Sequence, residues 1–509
     1  MPVVQRSHHS SSAVSRYVQT LVKQPKRTLL AALLPILLVL YKIYRSWKRF
    51  PKGIKLVPGH WLFGNIFQAF EAIATKKHLD WWHELHQEHG RTLVVNFPLQ
   101  PPFVDTTDPE IVEHILKNKF DTYVKGDWFR DRLTDLLGQG IFNVDGAAWF
   151  AQRKTASVMF THNQFKNHIW RVVRSNSSKV EQILRGCKSD ETVDIFNLMN
   201  RFTLDTIGEV GFGKTVGSLE DPNTPFLTSF DVAQQVCVKR FVYPFWQFQR
   251  IFGLGHERGA KHHFELLTNY SRGVVRNLRN NVHSDGKDSF VGLFMKEADK
   301  RGEPHDEEFM KDMVLNFLIA GRDTTAHALS WCIFLIIQHP QVESRILDEI
   351  NTVCGCNDLK YDDLKDLTYL QAVINETLRL YPSVPTDSKV ATADDILPDG
   401  TVLGTGCVVQ FNAYCMGRCA EIWGEDAAHF RPDRWLNSAP PSSYTYPVFN
   451  AGPRECLGKR LTLVEMKAAL CSILRSVKLT LAIPAADVHY DFQLTIGMSS
   501  GLPCKVHAR

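Results

Sequence analysis

The sequence predicts a mainly helical body with small β-sheets, an α+β fold, and three observations predict it. Residues 305–338 form a long segment with apolar residues at helical spacing, ended by His339-Pro340. Residues 361–380 repeat that pattern over a second helix. Short alternating apolar stretches near 92–97, 401–412 and 477–504 have the length of small strands. No repeat, low-complexity block or obvious linker divides the 509 residues. One large unit or two tightly packed ones are the options at this length. A hydrophobic content of 44% and an aromatic content of 11% provide for a large interior and exclude a disordered chain.

The chain opens on a basic segment, residues 1–27, rich in Ser and free of acids. Residues 28–44 follow as an apolar run, Thr28 to Tyr41 interrupted only by Pro35, then extended through Lys42, Ile43 and Tyr44. As a helix this run reaches about 26 Å. That is short for a bilayer core of about 30 Å, but feasible with Lys42 snorkelling. Lys23, Lys26 and Arg27 precede it, and Arg45, Lys48, Arg49, Lys52 and Lys55 follow it. The run is expected to be an uncleaved membrane anchor with the body on the cytosolic side. A cleaved signal peptide needs small residues after the run, where Tyr44-Arg45-Ser46-Trp47 stands. A mitochondrial transit peptide stays open as the alternative, because 1–27 is basic and acid-free. Residues 45–59 form a linker that Pro51, Gly53, Pro58 and Gly59 keep from continuing the helix. Residues 60–509 form the body.

Charge divides the same way. The chain holds 59 Lys and Arg against 54 Asp and Glu, but 11 of the basic residues and no acid lie in 1–57. That leaves 48 basic against 54 acidic residues, a body charge of −6. Nucleic-acid binding by the body has no support, and a membrane surface suits the basic end better. Eleven Cys cannot all pair within the chain, and Cys354/Cys356 and Cys415/Cys419 lack zinc-site spacing. Reduced thiols are expected.

The most informative segment is Phe449-Asn450-Ala451-Gly452-Pro453-Arg454-Glu455-Cys456-Leu457-Gly458. It reads as a Gly-rich loop entering a helix near Leu457. Free N–H groups and the positive helix end would then face the Cys456 sulfur and favour its thiolate. Gly452 and Gly458 let backbone pass close to a flat cofactor, and Arg454 can pair with an acidic group on it. These residues resemble the haem-binding loop of the cytochrome P450 family, Phe-x-x-Gly-x-Arg-x-Cys-x-Gly, at all five fixed positions. The resemblance implies haem b with Cys456 as axial ligand, a thiolate that pushes electron density to the iron.

Further motifs follow the family's order. Ala320-Gly321-Arg322-Asp323-Thr324-Thr325 lies in the long helix. Its small pair makes room for a bulky neighbour, and Thr324 can bond back to its i−4 carbonyl. It resembles the family's oxygen-activation motif, which implies Asp323 and Thr324 as a proton-delivery pair. Glu376 and Arg379 share a helix face and match the family's Glu-x-x-Arg. Arg434, in Phe430-Arg431-Pro432-Asp433-Arg434-Trp435, is implied to close a buried structural network with them. Trp149 and Arg153 resemble the Trp-x-x-x-Arg pair that donates to a haem propionate.

The resemblance implies a haem-thiolate monooxygenase with haem between the long helix and the Cys456 loop. It implies electrons from NADPH through a partner flavoprotein, cytochrome P450 reductase, with cytochrome b5 as an accessory donor. A fused reductase is not expected in the residues after Cys456. Endoplasmic reticulum membrane is the implied location. Leu136 to Gly146 leading to Gln152-Arg153-Lys154, Lys239 to Gln249, Met416-Gly417-Arg418 and Trp423-Gly424 resemble the plant and fungal fatty-acid and alkane ω-hydroxylase branch. Lys389 departs from the Arg that many members place there as a further propionate partner. No anchor for a substrate carboxylate can be named: Lys125 and Arg130 are candidates, and solvated surface charges are the alternative. Two rival functions remain within a haem-thiolate reading, a peroxide-rearranging isomerase or dehydratase and a non-catalytic haem sensor.

Overall fold

The computed structural model describes residues 51–509, except 158–159, 161–164, 189, 244, 281–288, 301–305 and 438, together with residues 37, 40 and 41. The segment 1–27 and the run 28–44, apart from those three positions, lie outside the described residues. Among the described residues no helix is long and apolar enough to cross a membrane.

A central helix, Glu307–Gln338, organises the body. The Asp306 carboxylate accepts the Phe309 N–H at 2.7 Å, and Glu307 and Glu308 fill the first turn, where the helix dipole favours acids. Its residues are buried nearly all round instead of along one stripe, so it lies inside the domain. It ends where Pro340 opens the next helix, Pro340–Cys354, at a position where proline's missing N–H is harmless. Trp331 pins its far half: the indole N–H donates to the Ile496 carbonyl at 2.8 Å, and the ring stacks on Tyr381 at 4.1 Å.

The helices Ile195–Phe212, Ala260–Asn280 and Lys459–Ser476 pack around this axis. A Cβ on Gly321 would lie 2.4 Å from Ile207 of the Ile195–Phe212 helix. The room made at Gly321 is therefore taken by a neighbouring helix. The bulky neighbour expected at the Ala320-Gly321 pair is, at Gly321, Ile207. The helix expected over 361–380 is also split, into a 3₁₀ turn at Tyr361–Lys365 and an α-helix at Thr368–Leu380. Asp363 turns back to accept the Lys360 N–H at 2.8 Å, which tightens that turn.

Eleven short strands form three sheets: β1 Lys55–Leu56, β2 Thr92–Val95, β3 Phe103–Thr106, β4 Tyr123–Val124, β5 Thr192–Asp194, β6 Thr386–Ala391, β7 Asp395–Ile396, β8 Val402–Leu403, β9 Val408–Asn412, β10 Val477–Leu481 and β11 Pro503–Ala508 among the described residues. The six-stranded sheet has the order β1-β2-β3-β9-β6-β4, with parallel pairs at β1/β2 and β3/β9. Antiparallel β10-β11-β5 and β7-β8 make the other two. In β6 the residues Asp387 and Lys389 are two apart and so share one face. All eleven cysteines are free thiols.

Candidate active site

The Cys456 loop closes on itself: the Cys456 N–H donates to the Phe449 carbonyl at 2.8 Å. The helix starts at Lys459 with Gly458 as its cap, two residues later than expected, because the Cys456–Gly458 turn keeps its N–H groups for the sulfur. Burial pushes the Cys456 thiol up, while the N–H groups of Gly458 and Lys459 and the Arg153 guanidinium favour its thiolate. The residue lies deep in the protein yet has an exposed surface, as a sulfur facing internal space does. At Gly458 a Cβ would meet only the Cys456 sulfur, at 3.7 Å, so its open side lies beside that sulfur. Gly452 is different. Its φ is +62°, and a Cβ there would lie 2.3 Å from the Leu116 carbonyl. Passing backbone demands this glycine, which corrects its reading as clearance for a flat cofactor.

Cations gather next to the loop. Arg454 lies over the buried Trp149 ring at 4.6 Å and donates to the Val144 carbonyl at 2.9 Å and to Asp145 at 2.8 Å. Trp149 thus stacks with Arg454 and not with Arg153, its neighbour one turn on in the Gly146–Ser157 helix. Arg153 is half-buried, feels the charge of Cys456, and has no hydrogen-bond or ion-pair partner among the described residues. Asp387 joins Lys125 and Lys389, each at 2.5 Å, and accepts from Asn450 Nδ2 at 3.0 Å. Burial alone would raise the Asp387 carboxyl, but the two lysines hold it far below the usual carboxylate range. Burial pushes Lys389 down to about 7, against the pull of Asp387.

Lys125 is therefore buried and committed, not a solvated charge. Arg130 is committed as well, to Asp127 at 3.0 Å and Asp145 at 3.2 Å. With Arg130 matched by Asp127, four cations (Arg153, Arg454, Lys125 and Lys389) face two carboxylates, Asp145 and Asp387. A cofactor carrying two carboxylates beside the Cys456 sulfur fits this excess, and haem b is such a group.

On the central helix, Thr324 Oγ1 donates to its i−4 carbonyl, Ala320, at 2.7 Å, and the helix stays α through that turn. Ser383 donates to the Thr324 carbonyl at 2.7 Å. Asp323 is buried, with Oδ1 at 3.1 Å from Arg322 and the Gln234 side chain beside it, and its Oδ2 has no close hydrogen-bond partner among the described residues. Burial pushes its carboxyl up to about 6, with Arg322 opposing. Arg322 also reaches Asp231 at 2.6 Å, and Asp231 is 52% exposed. A charged chain thus runs from solvent through Asp231 and Arg322 to Asp323. Asp231 lies 92 positions away in sequence, and no local pattern singles it out.

Below the loop, Glu376 and Arg379 are wholly buried and meet through two 2.8 Å contacts. Arg434 Nε at 2.9 Å, the Arg431 N–H at 2.8 Å and Trp435 Nε1 at 2.8 Å complete the carboxylate's partners. Arg379 also donates to the carbonyls of Ala427 and Gly417. With the His429 carbonyl at 3.0 Å as a further acceptor, all five N–H groups of Arg379 have partners, as buried charge requires.

A cavity of about 230 Å³ shares Asp387 with this centre. Trp128, Phe129 and Phe241 form one wall, Phe70 and Ile73 another, and Pro385 to Ser388 a third. Its lining contains neither Cys456 nor Thr324, but Asp387 and the Ser383–Thr324 bond connect its third wall to both.

A family model described as Cytochrome P450 matches residues 54–489. Curated relatives agree. "Cytochrome P450 CYP94D108" of Paris polyphylla is 34% identical over 449 residues, covering 84% of this chain and 88% of its own length. "Cytochrome P450 86B1" of Arabidopsis thaliana is 35% identical over 425 residues, covering 78% and 76%. "Cytochrome P450 704C1" of Pinus taeda is 35% identical over 466 residues, covering 84% and 89%.

Proposed function

Since the chain belongs to the cytochrome P450 family of haem-thiolate monooxygenases, we propose that it hydroxylates fatty-acyl or alkane chains at or near their ω end. The observation that carries this reading is the mostly apolar cavity whose wall includes Asp387, the partner of Asn450 in the Cys456 loop, in a chain whose loops resemble the ω-hydroxylase branch. Aromatic and aliphatic walls recognise a lipophilic chain and exclude water from it.

Bound haem supplies oxygen activation and insertion into the C–H bond. Cys456 would hold it, and the Gly458 and Lys459 N–H groups favour the thiolate against the effect of burial. Arg153 and Arg454, the latter braced on Trp149, take its propionates, with Lys389 and Lys125 adding positive charge from the Asp387 side. Thr324 holds a proton at Oγ1, its lone pairs free to accept another. Asp323 would carry protons inward, while Arg322, which stays charged, orients it and ties it to the solvent-exposed Asp231; a carboxyl near 6 suits that task close to neutral pH. Glu376, Arg379 and Arg434 would hold the fold as a buried charge network.

We assign the electrons to NADPH through a separate flavoprotein reductase and the location to the endoplasmic reticulum, with 28–44 as anchor and 60–509 as catalytic domain. A surface of exposed apolar residues supports contact with lipid: Trp61 at 75%, Ile251 at 76%, and Phe67, Phe248 and Phe252 beside them. Phe70 against Tyr243, at 5.5 Å, links the two halves of this surface, and Phe70 also lines the cavity. A lipophilic substrate could then enter from the bilayer.

The test is mass spectrometry of products after incubating the membrane-bound enzyme with reductase, NADPH and a library of fatty acids and alkanes. Terminal hydroxylation that needs NADPH supports the reading. Product without NADPH points to the isomerase class, and haem binding with no product points to a sensor; either refutes it.

A further inference from the structure

We propose that Gln100, at the wall of the cavity, and Arg132, packed against that wall, hold the carboxylate of an acyl substrate. This rests on the acyl reading above and deepens it. Arg132 lies in the Gly126–Leu137 helix and is 7% exposed. A guanidinium so deep ordinarily has an acidic partner. This one forms no ion pair among the described residues, and the acid it feels is Asp131, its exposed chain neighbour. Its acceptors are neutral: the carbonyls of Trp128 at 2.5 Å and Arg240 at 3.1 Å, and Gln100 Oε1 at 2.9 Å. Lys125, Arg130 and Arg240 each touch an acid, Lys125 touching Asp387, Arg130 Asp127 and Asp145, and Arg240 Glu257 and Asp135. Arg132 is the exception.

Its position ties that unmatched charge to the cavity. The guanidinium lies over the Trp128 ring at 4.7 Å and the Phe241 ring at 5.5 Å, and both rings line the cavity. Gln100 lines it too. The Gln100 amide oxygen accepts from Arg132 and from Trp128 Nε1, both at 2.9 Å, which fixes the amide's orientation. Its NH₂ group is left without an acceptor among the described residues. A carboxylate in the cavity would accept from that NH₂ and sit in the field of Arg132, in surroundings of low dielectric. An ester or a hydrocarbon of equal length fills the same walls and gains neither interaction.

The experiment titrates the haem-loaded, full-length enzyme with dodecanoic acid and with methyl dodecanoate, reading the ligand-induced shift of the haem absorption. A hydrogen bond to a charged group is worth roughly a 10- to 100-fold preference for the acid over the ester in the wild type. Gln100→Glu, on the turn after Phe97, should abolish that preference or reverse it, and Arg132→Gln should lower it by a similar factor. Should Arg132→Gln fail to load haem, Gln100→Glu decides alone. Acid and ester binding equally to the wild type, or a preference that survives Gln100→Glu, overturns the anchor and leaves the acyl reading standing. If the wild type binds neither compound, both readings fall.

Discussion

Replacing Asp323 by Asn removes the one carboxyl that burial holds at about 6 beside Thr324. If Asp323 feeds protons inward as the acid, its supply follows the protonated fraction. With a value of about 6 that fraction is roughly 9% at pH 7 and half at pH 6, a rise of about fivefold. Asn cannot titrate, so the variant should show no such rise and should turn over about 10²-fold more slowly. The assay is product formation at saturating reductase between pH 6 and 8. The wild-type to variant ratio at each pH cancels the reductase's own pH dependence. Stability supplies the control. An acid whose folded value is raised from 3.8 to about 6 loses stability for the fold as pH climbs through that window, because the charged form is disfavoured by burial. The neutral Asn escapes that loss, so the variant should be at least as stable as the wild type at pH 7.5. A rate ratio near one and flat with pH would refute the relay. An unstable variant would refute the account of why the carboxyl is raised.

Thr324→Ala should keep haem and substrate binding but divert NADPH flow to hydrogen peroxide, read as peroxide formed per NADPH consumed. Cys456→Ser should lose the thiolate-type spectrum of the reduced carbon-monoxide complex, and retention of that spectrum would place the ligand at another of the eleven Cys. Glu376→Gln leaves the buried Arg379 and Arg434 without their counter-charge and should cost about 3–5 kcal/mol in denaturant unfolding. Because its partners hold the Glu376 carboxyl low despite burial, that difference should be full near neutral pH and shrink in acid. Gly321→Ala drives a Cβ into Ile207 and should cost about 1–3 kcal/mol, with Ile207→Ala in the same chain recovering part of it.

What the sequence makes legible is what is local. The Cys456 loop spends its ten residues on one short stretch, and the central helix announces itself through its own periodicity, its acidic first turn and Pro340. Thr324 bonding back to Ala320 follows from spacing within a helix. What stays hidden needs partners far along the chain. Ile207, 114 positions from Gly321, decides what that glycine is for. Lys125 looks like any surface lysine until β6 brings Asp387 to it across 262 positions. Arg132 gives no signal in sequence at all, since a missing partner can be seen only once the neighbours are known. The split of the 361–380 helix is an intermediate case: Asp362, Asp363 and Asp366 hint at a turn, but the apolar spacing masks it.

The surplus of positive charge around Arg153, Arg454, Lys125 and Lys389 has a cellular corollary. A folded chain holding like charges together is a binding partner waiting on mass action, and its ligand stabilises it by RT ln(1 + [L]/Kd), about 4 kcal/mol at a thousandfold excess over Kd. Such a margin is a large share of the stability a typical domain possesses. The steady-state level of this protein should then follow haem supply as much as its own synthesis. Chains made faster than haem arrives would spend more time open to proteases, and abundance in haem-limited cells should fall while the messenger level holds.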